Sequence, residues 1–569
     1  MEKKWVYTGK RWIYDIGEIA VIVLQFVAVF SLLCMICAVT PELPAGETVG
    51  QWMWFGKGVW ISAGCVIASC LVQYLKKDSW AEILCFQYFS KSVAWSIVLL
   101  GGVEAVWGLR QLYGFSVSGH SLYALTGSFF NPGPYGGYLA MALPVCLHCY
   151  LHASKCKKKH IFRQAGIGIA GISGISGLLV LCVLPATMSR SAWIAATVGC
   201  AWVAYMHHEK RKWKYLWRKY WRRYLAWGTA GVLVLALAGA GVFFLKPDSA
   251  LGRLFLWKIA CRAIAEHPWG CPWGFAYAYG EAQEKYFSSG NYAAWEERVA
   301  GSPEYAFNEY LDCALNISLP LTIILLCMIV MYLRIGVMYR QYGVCGALLS
   351  LLLFSFSSYP MHIPGFMMAG VFLLIACREG ILIGKFLIVG AWLAVSVAGL
   401  GDKWKQEEDA CRKWAHARML YQLGSHAAAQ KAYEEIRPAL DDRGAFLFEY
   451  GHSLHKSGNY EESDWILRAA TYRSNDPMIR NVMGKNCQAM GFYWQAEAYY
   501  LSAVHLLPGR IYPYYLLAKL YAEPEYRNRE RFEEMKRIVL TKEPKVYSTA
   551  IKEMRDEVEK MENEWEIRQ

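Results

Sequence analysis

The first 400 residues consist largely of apolar runs about as long as a bilayer is thick, and this constrains the fold more than any motif does. A helix needs about 20 apolar residues to cross hydrocarbon. Inside the bilayer its backbone polar groups must be satisfied within the segment itself. Candidate spans lie at roughly 16–39, 52–74, 92–109, 133–152, 165–186, 191–206, 225–245, 314–333, 344–358, 363–377 and 381–400. The expected fold is therefore all-α, with about eleven membrane helices. The ninth and tenth runs are short and joined by Ser357-Ser358-Tyr359-Pro360, so they read as a broken pair or a re-entrant element. The first run is too long for the core of a cleavable signal and reads as a signal anchor.

Charged residues make up only 18% of the chain, against about one quarter in a soluble domain. The deficit is confined to the first part. Beyond Gly401 the sequence is rich in Glu, Lys, Arg, Ala and Tyr. The expected organisation is a polytopic membrane domain, 1–401, with a large outer loop at 246–313, followed by a soluble helical-repeat domain at 402–569.

A net charge of +13 would suit a nucleic-acid partner, but the basic residues crowd short loops beside apolar runs. Lys155, Lys157, Lys158, Lys159 and Arg163 follow the fourth run, and Lys210 to Arg223 follow the sixth. This is the positive-inside pattern. It excludes nucleic acid from the expected partners, puts both loops in the cytoplasm and puts the tail outside. The 18 cysteines lie mostly in apolar stretches, without metal-binding spacing.

The tail repeats itself. Gly451, Gly458, Leu467, Ala470 and Asn475 recur 33 residues later as Gly484, Gly491, Tyr500, Ala503 and Pro508, and Gly424, Ala429 and Tyr433 form an earlier partial copy. The pattern resembles the tetratricopeptide repeat, with small residues where two helices cross. Such repeats bury their faces only against each other. The resemblance implies a concave surface for a peptide or partner domain; a rigid spacer is the alternative.

In the fifth run, Gly166, Gly168, Gly171, Gly174 and Gly177 predict tight helix packing. Chemistry has most room in the outer loop, which carries Arg253, Lys258, Arg262, Glu266, His267, Asn308 and Glu309. Arg190 begins the sixth run. An Arg at such a place is often functional, although an interfacial anchor is the plainer reading. Guanidinium groups grip phosphate oxygens in pairs of hydrogen bonds, so Arg190 and Arg253 together would suit a diphosphate.

Four stretches resemble the O-antigen ligase and polymerase superfamily of membrane glycosyltransferases. They are Thr126-Gly127-Ser128-Phe129-Phe130-Asn131-Pro132 with Tyr135, Gly136 and Gly137; Ser189-Arg190-Ser191-Ala192-Trp193; Arg253 to Lys258 followed by Glu266-His267-Pro268-Trp269-Gly270; and Phe307-Asn308-Glu309-Tyr310-Leu311. The resemblance covers roughly residues 120–380 and includes the Ser358-Tyr359-Pro360 turn. It implies transfer, without metal or cofactor, of a glycan from an undecaprenyl-diphosphate carrier. The acceptor would be a hydroxyl on lipid A–core, a glycan or a protein, at the periplasmic face of the bacterial inner membrane.

On that resemblance Arg190 and Arg253 neutralise the leaving diphosphate, Asn308, Lys258, Asn131 and Tyr310 contact substrate, and membrane lipid surrounds the site. The family often places a His directly before the Asn, and here Phe307 stands there. Either another residue serves as base, with Glu309, Glu266, His267 and His362 the candidates, or the reaction needs little base assistance. A polymerase of the same superfamily, a transporter and a non-catalytic scaffold for the repeats are the competing readings.

Overall fold

The computed structural model describes residues 2–44, 46–156, 163–208, 247–378 and 382–567. The fold is all-α, with no β-strand among the described residues. The chain forms two compact units. One comprises Met1–Ala238 and Ile324–Asp409, the other Gly239–Ile323 and Ala410–Gln569.

Among the described residues five helical segments are long and apolar enough to cross a membrane: Ile16–Cys37, Val49–Leu75, Phe89–Leu112, Gly168–Thr187 and Leu319–Met338. A bent pair, Lys385–Ser396 with Leu400–Gln422, makes a sixth if it is one span. Helices Pro132–Cys156 and Arg190–His207 occupy the fourth and sixth expected runs. The ninth and tenth are two short apolar helices, Tyr342–Ser355 and Pro364–Ala376. The seventh expected run and most of the two basic clusters lie outside the described residues.

In the first unit, Pro132–Cys156 is the hub. Tyr135, Tyr138, Leu139, Met141, Val145 and Cys146 are all buried. Small residues bring its neighbours close. A Cβ on Gly137 would stand 2.3 Å from the Phe354 ring, and one on Gly136 would stand 2.9 Å from Thr187 Oγ1. The Ser350 hydroxyl donates to the Ala195 carbonyl at 2.9 Å, tying Tyr342–Ser355 to Arg190–His207.

The glycine stripe of the fifth run packs over only half its length. Gly174 and Gly177 meet Tyr150 and Cys146, whereas Gly168 and Gly171 face open space. A three-residue spacing drifts around an α-helix, so positions nine apart sit about 180° from each other.

The second unit joins the outer-loop segment to the tail. Helices Pro247–Glu266, Phe275–Ser288, Ala294–Val299 and Glu309–Asn316 enclose a core of Phe255, Ile259, Phe275, Tyr279, Tyr286 and Phe287, and Leu507 of the tail completes it. The Gln283 amide donates to the carbonyls of Gly301 (3.1 Å) and Leu506 (2.6 Å). The Asn475 amide donates to the Pro303 carbonyl, and Lys542 pairs with Glu297.

Tail helices recur in pairs with the 33-residue period of the sequence: Gly444–Lys456 with Tyr460–Thr471, then Pro477–Ala489 with Tyr493–Leu506. Gly451 abuts Leu467, and Gly484 abuts the Tyr500 ring. The turns between partners hold Gly458 at φ 83° and Gly491 at φ 79°, where an L side chain is strained.

Replacing Gln283 with Leu would take its donor from the buried Leu506 carbonyl, at a cost of roughly 1–3 kcal/mol, and from the part-buried Gly301 carbonyl as well. The purified Gln283→Leu protein in detergent should melt several degrees below the parent, and an unchanged midpoint would contradict the packing of the loop on the tail.

Candidate functional site

In the first unit the Thr126–Asn131 stretch is shaped from beneath by two polar side chains of the Phe89–Leu112 helix. Gln111 accepts from Thr126 N (3.0 Å) and Gly127 N (2.7 Å) and donates to the carbonyls of Val117 and Gly127. Fully buried Glu104 accepts from Ser128 N at 3.1 Å, and the Tyr135 hydroxyl donates to the Glu104 carbonyl at 2.8 Å. Gly127 adopts φ 58°, and a Cβ there would stand 2.3 Å from the Tyr135 ring, so only glycine fits.

Asn131 starts the next helix. Its side chain accepts from Gly133 N at 3.0 Å and its carbonyl from Tyr135 N at 3.4 Å. Arg190 is the first residue of the Arg190–His207 helix and is half-buried. Before it, Met188 takes a left-handed φ of 52°, and the Trp193 indole donates to the Leu184 carbonyl at 2.9 Å. The Arg190 side chain is thus carried on a backbone pinned at a turn.

In the second unit the Pro247–Glu266 helix presents Arg253 and, one turn later, Trp257 on one face. Both meet the same strand of chain. The Arg253 guanidinium lies over the Phe307 ring at 5.9 Å, and the Trp257 indole donates to the Ala306 carbonyl at 3.2 Å. Phe307 itself is left-handed at φ 48°. Such a conformation is costly for a bulky residue and persists only where its surroundings hold it.

Those surroundings are the Glu309–Asn316 helix. Asn308 caps its start, accepting from Tyr310 N (3.0 Å) and Leu311 N (3.3 Å). Asp312 accepts from Ala306 N at 3.1 Å and from the Asn316 amide at 2.6 Å, and Asn316 in turn accepts from Phe275 N at 2.8 Å. Glu309 is buried in the first turn, where the helix dipole favours negative charge. Burial, and then the Glu309 charge, push the Tyr310 phenol up to about 12. At neutral pH Tyr310 is a hydrogen-bond donor, not a base.

The structure brings Arg253, Phe307, Asn308, Glu309 and Tyr310 into one neighbourhood and turns Lys258, Glu266 and His267 away from it. Lys258 lies about 140° around the helix from Arg253. There its ammonium donates to the Tyr286 hydroxyl at 2.7 Å and pairs with buried Glu296, while Tyr286 donates to Glu296 at 2.7 Å. Glu266 and His267 stand about 20 Å along the helix from Arg253, where Glu266 pairs with Lys285 and His267 faces Glu281 at 3.7 Å. His362 belongs to the first unit, ending the Pro360–His362 turn.

Glu104, Gln111, Trp257 and Asp312 were not among the residues expected from sequence. Glu104 had a readable signal, since an acid inside a membrane run is rarely idle. The other three did not, because their importance comes from irregular backbone groups that only the folded chain brings to them.

Two predictions follow from the capped helix and the Lys258 network. Asn308→Ala should destabilise the protein by roughly 1 kcal/mol, and Asn308→Asp should restore most of it. If the side chain also contacts substrate, the Asp variant will stay impaired in transfer while melting normally. Burial disfavours a charged Glu296, but hydrogen bonds from Lys258, Tyr286 and the Ala293 N–H outweigh it and hold the carboxyl below its ordinary value. Its contribution is then present above the unfolded value of about 4.3 and lost as pH falls through the lower folded value. Melting midpoints between about pH 5 and about pH 3 should fall more steeply for the parent than for Glu296→Gln.

Residues 175–326 match the family model described as O-antigen ligase. The match runs from the fifth membrane run through Arg190, Arg253 and the Glu309–Asn316 helix to the start of Leu319–Met338. Comparison with the curated proteins and with the solved structures found no match. Residues 175–326 are thus similar to the O-antigen ligase family, and the chain that carries them has five described helices long and apolar enough to cross a membrane.

Proposed function

We propose that this protein transfers a glycan from an undecaprenyl-diphosphate carrier to an acceptor hydroxyl at the periplasmic face of the inner membrane, in the manner of an O-antigen ligase. The acceptor oxygen attacks the anomeric carbon, the bond from that carbon to the phosphate oxygen breaks, and the diphosphate departs with the electron pair. Arg253 neutralises the charge growing on the diphosphate, the role for which a preorganised cation suits a leaving phosphate. The acceptor proton passes to the Glu309 carboxylate, which takes the place of the missing His. Asn308 holds the turn, and Tyr310 donates a hydrogen bond to substrate. Lys258 and His267 act at a distance, through the scaffold.

The observation that supports this reading most is Arg253 seated on the left-handed Phe307, two residues ahead of a buried carboxylate, inside the stretch that matches the ligase family. The tail, read as tetratricopeptide-like, holds the acceptor or a protein partner over the outer-loop segment on which it packs.

Reconstituted protein, supplied with undecaprenyl-diphosphate oligosaccharide and lipid A–core, tests the assignment. Arg253→Gln should lower the turnover rate about 10²–10³-fold, and Glu309→Gln about 10²–10⁴-fold, with melting midpoints kept. Parental rates in both variants would remove the proposed roles. A deletion strain separates the two superfamily activities on a glycan gel. Unattached polymer indicates ligation, single repeat units on the core indicate polymerisation, and an unchanged profile counts against both.

A further inference from the structure

The loop between Glu266 and Phe275 is stitched to the residues that lead into a membrane helix. Leu319 N donates to the Pro268 carbonyl at 3.0 Å, Cys271 N to the Leu315 carbonyl at 2.7 Å, and Phe275 N to the Asn316 side chain at 2.8 Å. Gly270, at φ 90°, lies so close that a Cβ would stand 2.5 Å from the Ile317 carbonyl oxygen. These bonds hold Pro268 level with the first residue of Leu319–Met338.

That helix is a candidate span, and only 11% of its most apolar window is buried within the protein. Leu321, Ile323 and Ile324 are exposed along it, and Ile317 is exposed just before it. At the tip of the stitched loop Trp269 is 79% exposed. An indole left in water on a rigid loop forgoes the burial of a large apolar surface. In the headgroup layer it finds apolar surroundings for its rings and a wet partner for its N–H, which is why Trp collects at membrane interfaces.

We infer that the Pro268–Gly274 loop is a membrane-contacting lip, with Trp269 seated in the headgroup layer of the phospholipid surface that receives Leu319–Met338. Continuity with the span selects lipid over a protein partner, because the ring projects from the level at which the chain enters the bilayer. The lip also reaches the candidate site. It is bonded to Leu315 and Asn316, the last turn of the helix whose first turn carries Glu309. Trp269 therefore sets the height of that helix above the bilayer. This inference stands whether or not the chain transfers a glycan.

The test replaces Trp269 with 4-trifluoromethylphenylalanine in the full chain, reconstituted in nanodiscs of phosphatidylethanolamine and phosphatidylglycerol. A matching label at Trp494, an exposed tail residue, serves as the aqueous reference. Fluorine NMR is recorded with a lipid carrying a nitroxide near its headgroup, and separately with a water-soluble gadolinium chelate. The label at 269 should broaden several-fold more than that at 494 with the lipid nitroxide, and less with gadolinium. Equal responses at the two positions would overturn the inference by placing the ring in water. Protection from both reagents would overturn it by placing the ring against protein.

Discussion

An eight-residue helix, Glu309–Asn316, holds together the irregular parts of the outer-loop segment. Each of its ends takes up backbone groups that no regular ladder would satisfy. Asn308 closes the N-terminus, Asp312 reaches back to Ala306, Asn316 reaches Phe275, and the Leu315 carbonyl receives Cys271. Buried backbone groups left without partners would each be expensive, so the loops before and after this helix have little freedom to move independently. Phe307 is held left-handed within this frame, and Arg253 rests on its ring.

The outer-loop segment and the helical tail are one packed body. Leu507 enters the loop core, Gln283 bonds the Leu506 carbonyl, and Tyr472 stacks between Trp273 and Tyr277 with ring centroids 4.5 and 5.6 Å away. The composition change near Gly401 marks where apolar helices give way to charged ones, and it falls within the Leu400–Gln422 helix. It does not mark a break in packing for the outer-loop segment, whose apolar faces are covered from beyond it.

Polar residues within the membrane unit have an equally local purpose. Glu104 and Gln111 accept backbone N–H groups from the turn at Thr126–Ser128, below the mouth of the Pro132–Cys156 helix. In a medium without water such groups have few other partners. The glycines at 127, 136 and 137 let that turn and helix close on their neighbours, which makes the family-like motif chiefly a piece of architecture.

Several features were legible in sequence because they depend on neighbours a few residues away. Apolar length marked the membrane helices, a 33-residue period marked the paired tail helices, and Asn131-Pro132 marked a helix start. The cluster at Arg253, Phe307, Asn308 and Glu309 was legible as motifs, and so was its likeness to a superfamily. What tertiary structure decided was how these pieces are aimed. A helix rotates each residue by about 100° and lifts it by about 1.5 Å, so Lys258 turned away from Arg253 and His267 was carried far from it. The same rotation left Gly168 and Gly171 facing outward while Gly174 and Gly177 packed. Composition records which side chains a segment owns, whereas direction and height depend on contacts made by residues hundreds of positions apart.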